Sequence, residues 1–276
     1  MGIYHAKTAG AALAIQLTLL AALWAIVRLG PSGWLAGTAC TIIICLLLTG
    51  GLQRAGARRM GPADRVTLAR ALLVCGVTAL VVDRSPDPVL LAAVAGVALL
   101  LDGVDGQVAR RTGTVSALGA RFDMEVDAFL ILVLSVHDSV FLGLWVLAIG
   151  LMRYGFVAAS VPFPWLKAPL PPSYARKTVA AVQGVALTVA VILPHPEALA
   201  AVAAALITLT WSFARDILWL ARKARRGVAI VAGTQPTMAA RIGLDNLDDG
   251  PHGRTGLVIR LNREDTTAAS VGQGAA

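Results

Sequence analysis

The sequence predicts an all-α polytopic transmembrane helical bundle. Three observations carry that reading: the composition, the spacing of the apolar runs, and the charges between them. Of 276 residues, 57% are apolar and 14% charged, and the mean hydropathy is +0.73. A soluble domain holds about 25% charged residues. Length alone allows one or two soluble domains, but this composition points to an integral membrane protein. The three cysteines, Cys40, Cys45 and Cys75, lie in apolar runs. They read as small core or lipid-facing residues rather than a redox or zinc site.

Eight apolar segments follow in order, at 11–29, 34–52, 66–82, 88–108, 119–137, 140–160, 178–194 and 197–220. Most reach the roughly 17–25 residues a helix needs to cross about 30 Å of hydrocarbon. Backbone groups in lipid must be satisfied within the segment, so each run reads as a helix. The first is long for the core of a signal peptide, and no small-residue cleavage site precedes a mature domain. Trp34, Trp165 and Trp219 fall near segment ends and read as interface anchors.

The loops between the segments alternate in charge. Arg54, Arg58, Arg59 and Arg65 lie between the second and third, and Arg110, Arg111 and Arg121 around the loop after the fourth. Lys167, Arg176 and Lys177 lie before the seventh, and Arg222, Lys223, Arg225 and Arg226 after the last. The other loops offer little beyond Arg84, flanked by Asp83 and Asp87. By the positive-inside rule, both termini and the basic loops are cytoplasmic. The net charge of +8 divides at residue 227 into +9 before it and −1 after it. Basic residues set between apolar segments suit anionic head groups and phosphate-bearing substrates rather than nucleic acid. The stretch 227–276 is mixed in charge and Gly-rich, and is expected to be a poorly ordered cytoplasmic tail, with a short strand at Leu257–Ile259 as its one candidate element.

The unusual feature is charge inside the membrane. Asp102 and Asp105 end the fourth segment, and Asp123, Glu125 and Asp127 begin the fifth. Intramembrane carboxylates are costly and point to function. Asp102 and Asp105 lie about 60° apart around a helix, and Asp123 and Asp127 about 40° apart, so each pair projects from one face. The short loop between the two helices lets antiparallel packing bring the pairs together. Four clustered carboxylates repel unless a cation sits among them. All-oxygen ligands suit Mg²⁺ or Mn²⁺ better than zinc. Glu125, rotated about 200° from Asp123, faces elsewhere. Between the pairs, Gly106, Ala109 and Gly119 let another backbone or a flat nucleotide approach closely. Arg110 is a fixed cation suited to a phosphate oxygen.

The run Asp102-x2-Asp105-Gly106-x2-Ala109-Arg110-x8-Gly119-x3-Asp123-x3-Asp127 resembles the signature of the CDP-alcohol phosphotransferases at every fixed position. Eight fixed residues at about 6% usage each give a chance match on the order of 10⁻¹⁰ per window. Upstream, Pro62-x4-Thr67-x2-Arg70 is similar to the start of that family's first core helix, with Ala63 in place of the usual Asn. The resemblance implies a six-helix catalytic core over 62–226, with two extra N-terminal helices in 1–61. It implies cleavage of a CDP-alcohol and transfer of the substituted phosphoryl group to an acceptor alcohol with release of CMP; CDP-diacylglycerol with a polar alcohol is the favoured arrangement, and a soluble CDP-amino alcohol with a diacylglycerol acceptor shares the motif. It implies Asp102, Asp105 and Asp123 as metal ligands and Asp127 as general base and further ligand. Gly106, Ala109, Arg110 and Gly119 would line the CDP site, with Mg²⁺ or Mn²⁺, two ions in all, and a homodimer. Arg153, inside the sixth segment, and Arg176 and Lys177, at the start of the seventh, are the candidates for an anionic acceptor.

Three other classes fit less well, and one of them, a non-catalytic scaffold that keeps the motif, is disfavoured by the intact acid set. A membrane prenyltransferase also uses aspartate pairs with Mg²⁺, but needs Asn before the first Asp and another Asp near residue 109, where this chain has Leu101 and Ala109. A carboxylate-based transporter explains buried acids but not the Gly106-x2-Ala109-Arg110 run.

Overall fold

The computed structural model describes the backbone of residues 2–54, 62–85, 87–112, 117–171 and 173–242, and the side chains of 8–54, 64–85, 87–103, 119–171, 173 and 175–225. Among these residues there are eight α-helices and no strand. In order they are α1 (Gly2–Val27), α2 (Pro31–Arg54), α3 (Pro62–Val82), α4 (Pro88–Thr112), α5 (Ala117–Leu142), α6 (Leu147–Ala159), α7 (Tyr174–Ala190) and α8 (His195–Ile242). Single 3-10 turns at Leu144–Val146 and Pro164–Lys167 flank α6. The fold is the all-α polytopic bundle that the apolar runs predict.

The helix starts are written locally. Pro31, Pro62 and Pro88 each stand at the first helical position, where a missing N–H costs nothing and the fixed φ is already helical. Arg28 closes α1 in the left-handed conformation, φ 58°, and its backbone N–H still reaches the Trp24 carbonyl at 2.9 Å. Gly143, at φ 102°, turns the chain from α5 into the 3-10 turn before α6, a conformation few other residues adopt cheaply.

Four helical stretches are long and apolar enough to cross a membrane, Thr8–Val27, Pro31–Arg54, Asp64–Val82 and His195–Arg225, and Pro88–Gly103 and Leu144–Ala159 are shorter apolar helices. Large apolar side chains stand outward along the bundle: Leu35, Leu100, Val140 and Trp211 are each more than 70% exposed. An apolar exterior of this extent is stable against lipid and not against water. The protein is a membrane protein.

The chain forms two compact units, Met1–Arg225 and Arg226–Ala276. In the first, α3 is the central post: it packs against α1, α2, α4 and α5. Ala71, Val74, Cys75, Val77, Ala79 and Leu80 of α3 are fully buried, so this helix has almost no lipid face. The helix α5 packs on α3, α6 and α7. Gly150 of α6 sits so close to α5 that an added Cβ would lie 2.7 Å from the Leu132 Cα. That close approach fixes α6 against the helix that carries Asp123 and Asp127. In the second unit the described residues continue the helix to Ile242, where the sequence predicts a poorly ordered tail from Gly227. The candidate strand at 257–259 lies outside the described residues.

Candidate active site

Two helices bring their carboxylates to one point. Asp102 comes from the last turns of α4, and Asp123 and Asp127 from the second and third turns of α5. One carboxylate oxygen from each lies within 4.8 Å of the others. Part of the geometry follows from the local sequence: α5 is unbroken, so the i,i+4 pair shares a face; the rest comes from α4 and α5 each packing on α3.

The group that gathers them is Arg70 of α3. Its side chain is 1% exposed, while those of Asp102, Asp123 and Asp127 are 43%, 33% and 39% exposed. Its Nη1 donates to Asp102 Oδ1. Its Nη2 donates to Asp123 Oδ1 at 2.5 Å and to the Asp123 carbonyl at 3.1 Å, and stands 3.2 Å from Asp127 Oδ1. A planar guanidinium with donors in a fixed fork can serve three acceptors at once, which an ammonium cannot do in the same geometry. Three carboxylates nevertheless carry more negative charge than one guanidinium neutralises, and the acids, unlike the arginine, are open on one side.

The donor set fits a hard divalent cation. It is all oxygen, from carboxylates, as Mg²⁺ and Mn²⁺ prefer. An octahedral ion with bonds of about 2.1 Å needs its ligand oxygens about 3 to 4 Å apart, so the observed cluster is close to that size. Other groupings of this kind are absent among the described residues.

The remaining site residues divide. The backbone of Asp105, Gly106, Ala109 and Arg110 is helical within α4, and their side chains lie outside the described residues. Gly119 is half-buried at the start of α5. Glu125 is turned from the acid cluster, as its position around the helix predicts, and accepts from Arg153 Nη2 at 2.6 Å. Arg153 is therefore ion-paired on the other side of α5. Arg176 lies 3.5 Å from Asp216 of α8 and donates to the Pro171 carbonyl. Lys177 is exposed.

Arg70 is the residue that motif reading undervalued. It ends the upstream run Pro62-x4-Thr67-x2-Arg70, and nothing in that run ties it to the acids. The available signal was an arginine within the apolar run 66–82, where an unpaired cation is costly.

These features define a class: a polytopic helical membrane protein with an acidic, metal-competent site at the end of its central helix. The family model for CDP-alcohol phosphatidyltransferase matches residues 60–214, more than half of the chain. The chain belongs to that family, with α1 and α2 preceding the matched segment. No curated protein and no solved structure matches it significantly. The family assignment makes the protein a membrane transferase of phospholipid synthesis that takes a CDP-alcohol; the family uses a divalent metal, and the acid cluster is of a kind that can bind one.

Proposed function

We propose that this protein transfers the diacylglycerol-bearing phosphoryl group of CDP-diacylglycerol to the hydroxyl of a polar acceptor alcohol and releases CMP. The observation that supports this most directly is the convergence of Asp102, Asp123 and Asp127 on Arg70. It joins the two halves of the motif, one on α4 and one on α5, into a single site.

Asp102, Asp105 and Asp123 would hold Mg²⁺ or Mn²⁺, two ions in all, with Asp127 as a further ligand. When bound, the metal neutralises the diphosphate and stabilises the departing CMP oxygen. Asp127 takes the proton of the acceptor hydroxyl. That oxygen forms a bond to the phosphorus bearing the diacylglycerol, and the bond from that phosphorus to the CMP oxygen breaks. Gly106, Ala109 and Gly119 leave room for the cytidine, and Arg110 meets a phosphate oxygen. Arg70 keeps the acids at one point and itself stays out of the reaction. Arg153, Arg176 and Lys177 attract the anionic part of the acceptor. The Glu125 and Asp216 pairs fix the first two in position. The site faces the cytoplasm, with both termini on that side, because the Arg/Lys-rich loops flank it. The protein works as a homodimer.

The test is CMP release by the purified protein in lipid micelles, supplied with CDP-diacylglycerol, Mg²⁺ or Mn²⁺, and a panel of acceptor alcohols, beside an Asp127→Asn control. Acceptor-dependent CMP that vanishes in the control is the expected result. CMP from a soluble CDP-alcohol with diacylglycerol as acceptor, and none from CDP-diacylglycerol, would reverse the donor assignment.

A further inference from the structure

A groove of about 640 Å³ opens beside the acid cluster. Its walls are Thr8, Ala11, Ala12, Ile15 and Leu19 of α1, Arg65, Leu68, Ala69, Leu72 and Leu73 of α3, and Leu101 of α4. Nothing about the matched segment calls for it, because one entire wall is α1, which precedes residues 60–214.

Three features of the groove bear on what it holds. The first is polarity. Thr8 and Arg65 stand at one end, and every other lining side chain is apolar. The second is depth. From Thr8 to Leu19 along α1 is about 16 Å at 1.5 Å per residue, and from Arg65 to Leu73 along α3 about 12 Å. Both are close to half of the roughly 30 Å hydrocarbon thickness, so the groove runs from one membrane surface to near the midplane. The third is position. Leu101, on its rim, immediately precedes Asp102, and the polar end of the groove is the end of α3 and α4 at which Arg70 gathers the acids.

We propose that this groove holds one acyl chain of the lipid-linked donor, with the Arg65 guanidinium at its mouth against the anionic headgroup. The proposal rests on the reading of CDP-diacylglycerol as donor and deepens it, since it makes the extra helix α1 a wall of the donor site. A chain of one leaflet's length fits the depth. Small side chains at Ala11, Ala12 and Ala69 leave the space between the walls unfilled. Ala11 and Ala69 are also exposed, so a chain can enter sideways from the bilayer without the bundle opening. A soluble CDP-alcohol has no part that would fill such a space.

The experiment fills the groove from each wall in turn. Ala69→Trp and Ala11→Trp are compared with wild type and with Leu17→Trp, a substitution at an exposed α1 position outside the groove. The readout is the ratio of kcat/KM for long-chain CDP-diacylglycerol to that for a short-chain analogue, with the full-length protein in nanodiscs. In wild type the ratio favours the long chain. Each filling variant is expected to lower it about tenfold, the scale by which a pocket discriminates a few methylenes, and Leu17→Trp to leave it unchanged. A ratio rather than a rate is read because a partly misfolded variant loses both activities together.

A long-chain donor carrying a photoreactive group in its tail supplies the second measurement, independent of turnover. Cross-links are expected within residues 8–19 of α1. Wild-type CMP release with no chain-length preference and no cross-link to α1 would overturn the groove while leaving the transferase reading intact. CMP release from soluble CDP-alcohols alone would overturn the donor reading, and the groove assignment with it.

Discussion

The two ends of α3 each carry a carboxylate network, and they are built on opposite principles. Just past its C-terminus, Asp83 meets an excess of donors. Its Oδ2 accepts from the Gly30 N–H at 2.8 Å, and its Oδ1 from Ser32 Oγ at 2.6 Å and the Gly33 N–H at 3.3 Å. One acid thus caps the start of α2 and ties the α1–α2 turn to α3. Burial alone would raise its pKa, but those three hydrogen bonds outweigh it and hold the carboxyl below its usual range. Near the N-terminal end of α3 the ratio is inverted: among the described residues, three acids gather on one cation, Arg70. A saturated carboxylate is a structural clasp. A set of acids that outnumbers the cation among them suits a metal ion, and the difference can be measured.

The largest effect belongs to the acid-rich end. Asp127→Asn is expected to reduce CMP formation by about 10²- to 10⁴-fold, the usual contribution of a positioned general base, with thermal stability unchanged in the absence of metal. Arg70→Ala comes next. It leaves three carboxylates facing one another without their buried counter-charge, and breaking such a pair costs about 3 kcal/mol. Added Mg²⁺ or Mn²⁺ is expected to return part of the lost thermal stability to this variant, and thermal unfolding with and without the ion checks it. If the ion has no effect on Arg70→Ala, the view of this end as deficient in positive charge is wrong.

Asp83→Ala sharpens the contrast from the other side. Losing the cap is expected to cost up to about 2 kcal/mol, read as a lower Tm, with kcat and both KM values near wild type. The pH dependence has a definite sign. A carboxyl whose pKa is depressed on folding contributes stability above its unfolded value and loses it as pH falls through the folded one. In wild type that contribution therefore begins to decline near pH 4, the ordinary aspartate value, and is gone only at more acid pH. Asp83→Asn is expected to flatten this part of the stability profile. The smallest effect concerns Arg153. Arg153→Ala is expected to raise the acceptor KM about tenfold, equivalent to 1.4 kcal/mol, with the donor KM unmoved. An unchanged acceptor KM would leave its pairing with Glu125 as its whole role.

Much of the fold and part of the site were legible in the residues. The eight apolar runs became eight helices because lipid leaves the backbone no other partner. Helix starts at Pro31, Pro62 and Pro88 were local facts. The grouping of Asp123 with Asp127, and the exclusion of Glu125 from their company, followed from 3.6 residues per turn. What could not be read was any relation between helices distant in sequence. Arg70 lies 32 residues from Asp102 and 53 from Asp123, and no periodicity links them. The Arg153–Glu125 and Arg176–Asp216 pairs, across 28 and 40 residues, were invisible for the same reason. So was the reach of Asp83 back to the start of α2.

The sequence by itself determined that this is a helical membrane protein, which faces of α4 and α5 carry acids, and, through its motif, the family. Those properties depend on composition and on the repeat of a single helix, both of which are local. The tertiary structure alone decided that α3 is the central post, that its buried arginine draws the acids of two other helices to one point, and that α1 walls a groove beside them. Those depend on side-chain shape and charge meeting across interfaces, where small residues such as Gly150 set how close two helices come and a costly buried cation selects the partners that can satisfy it.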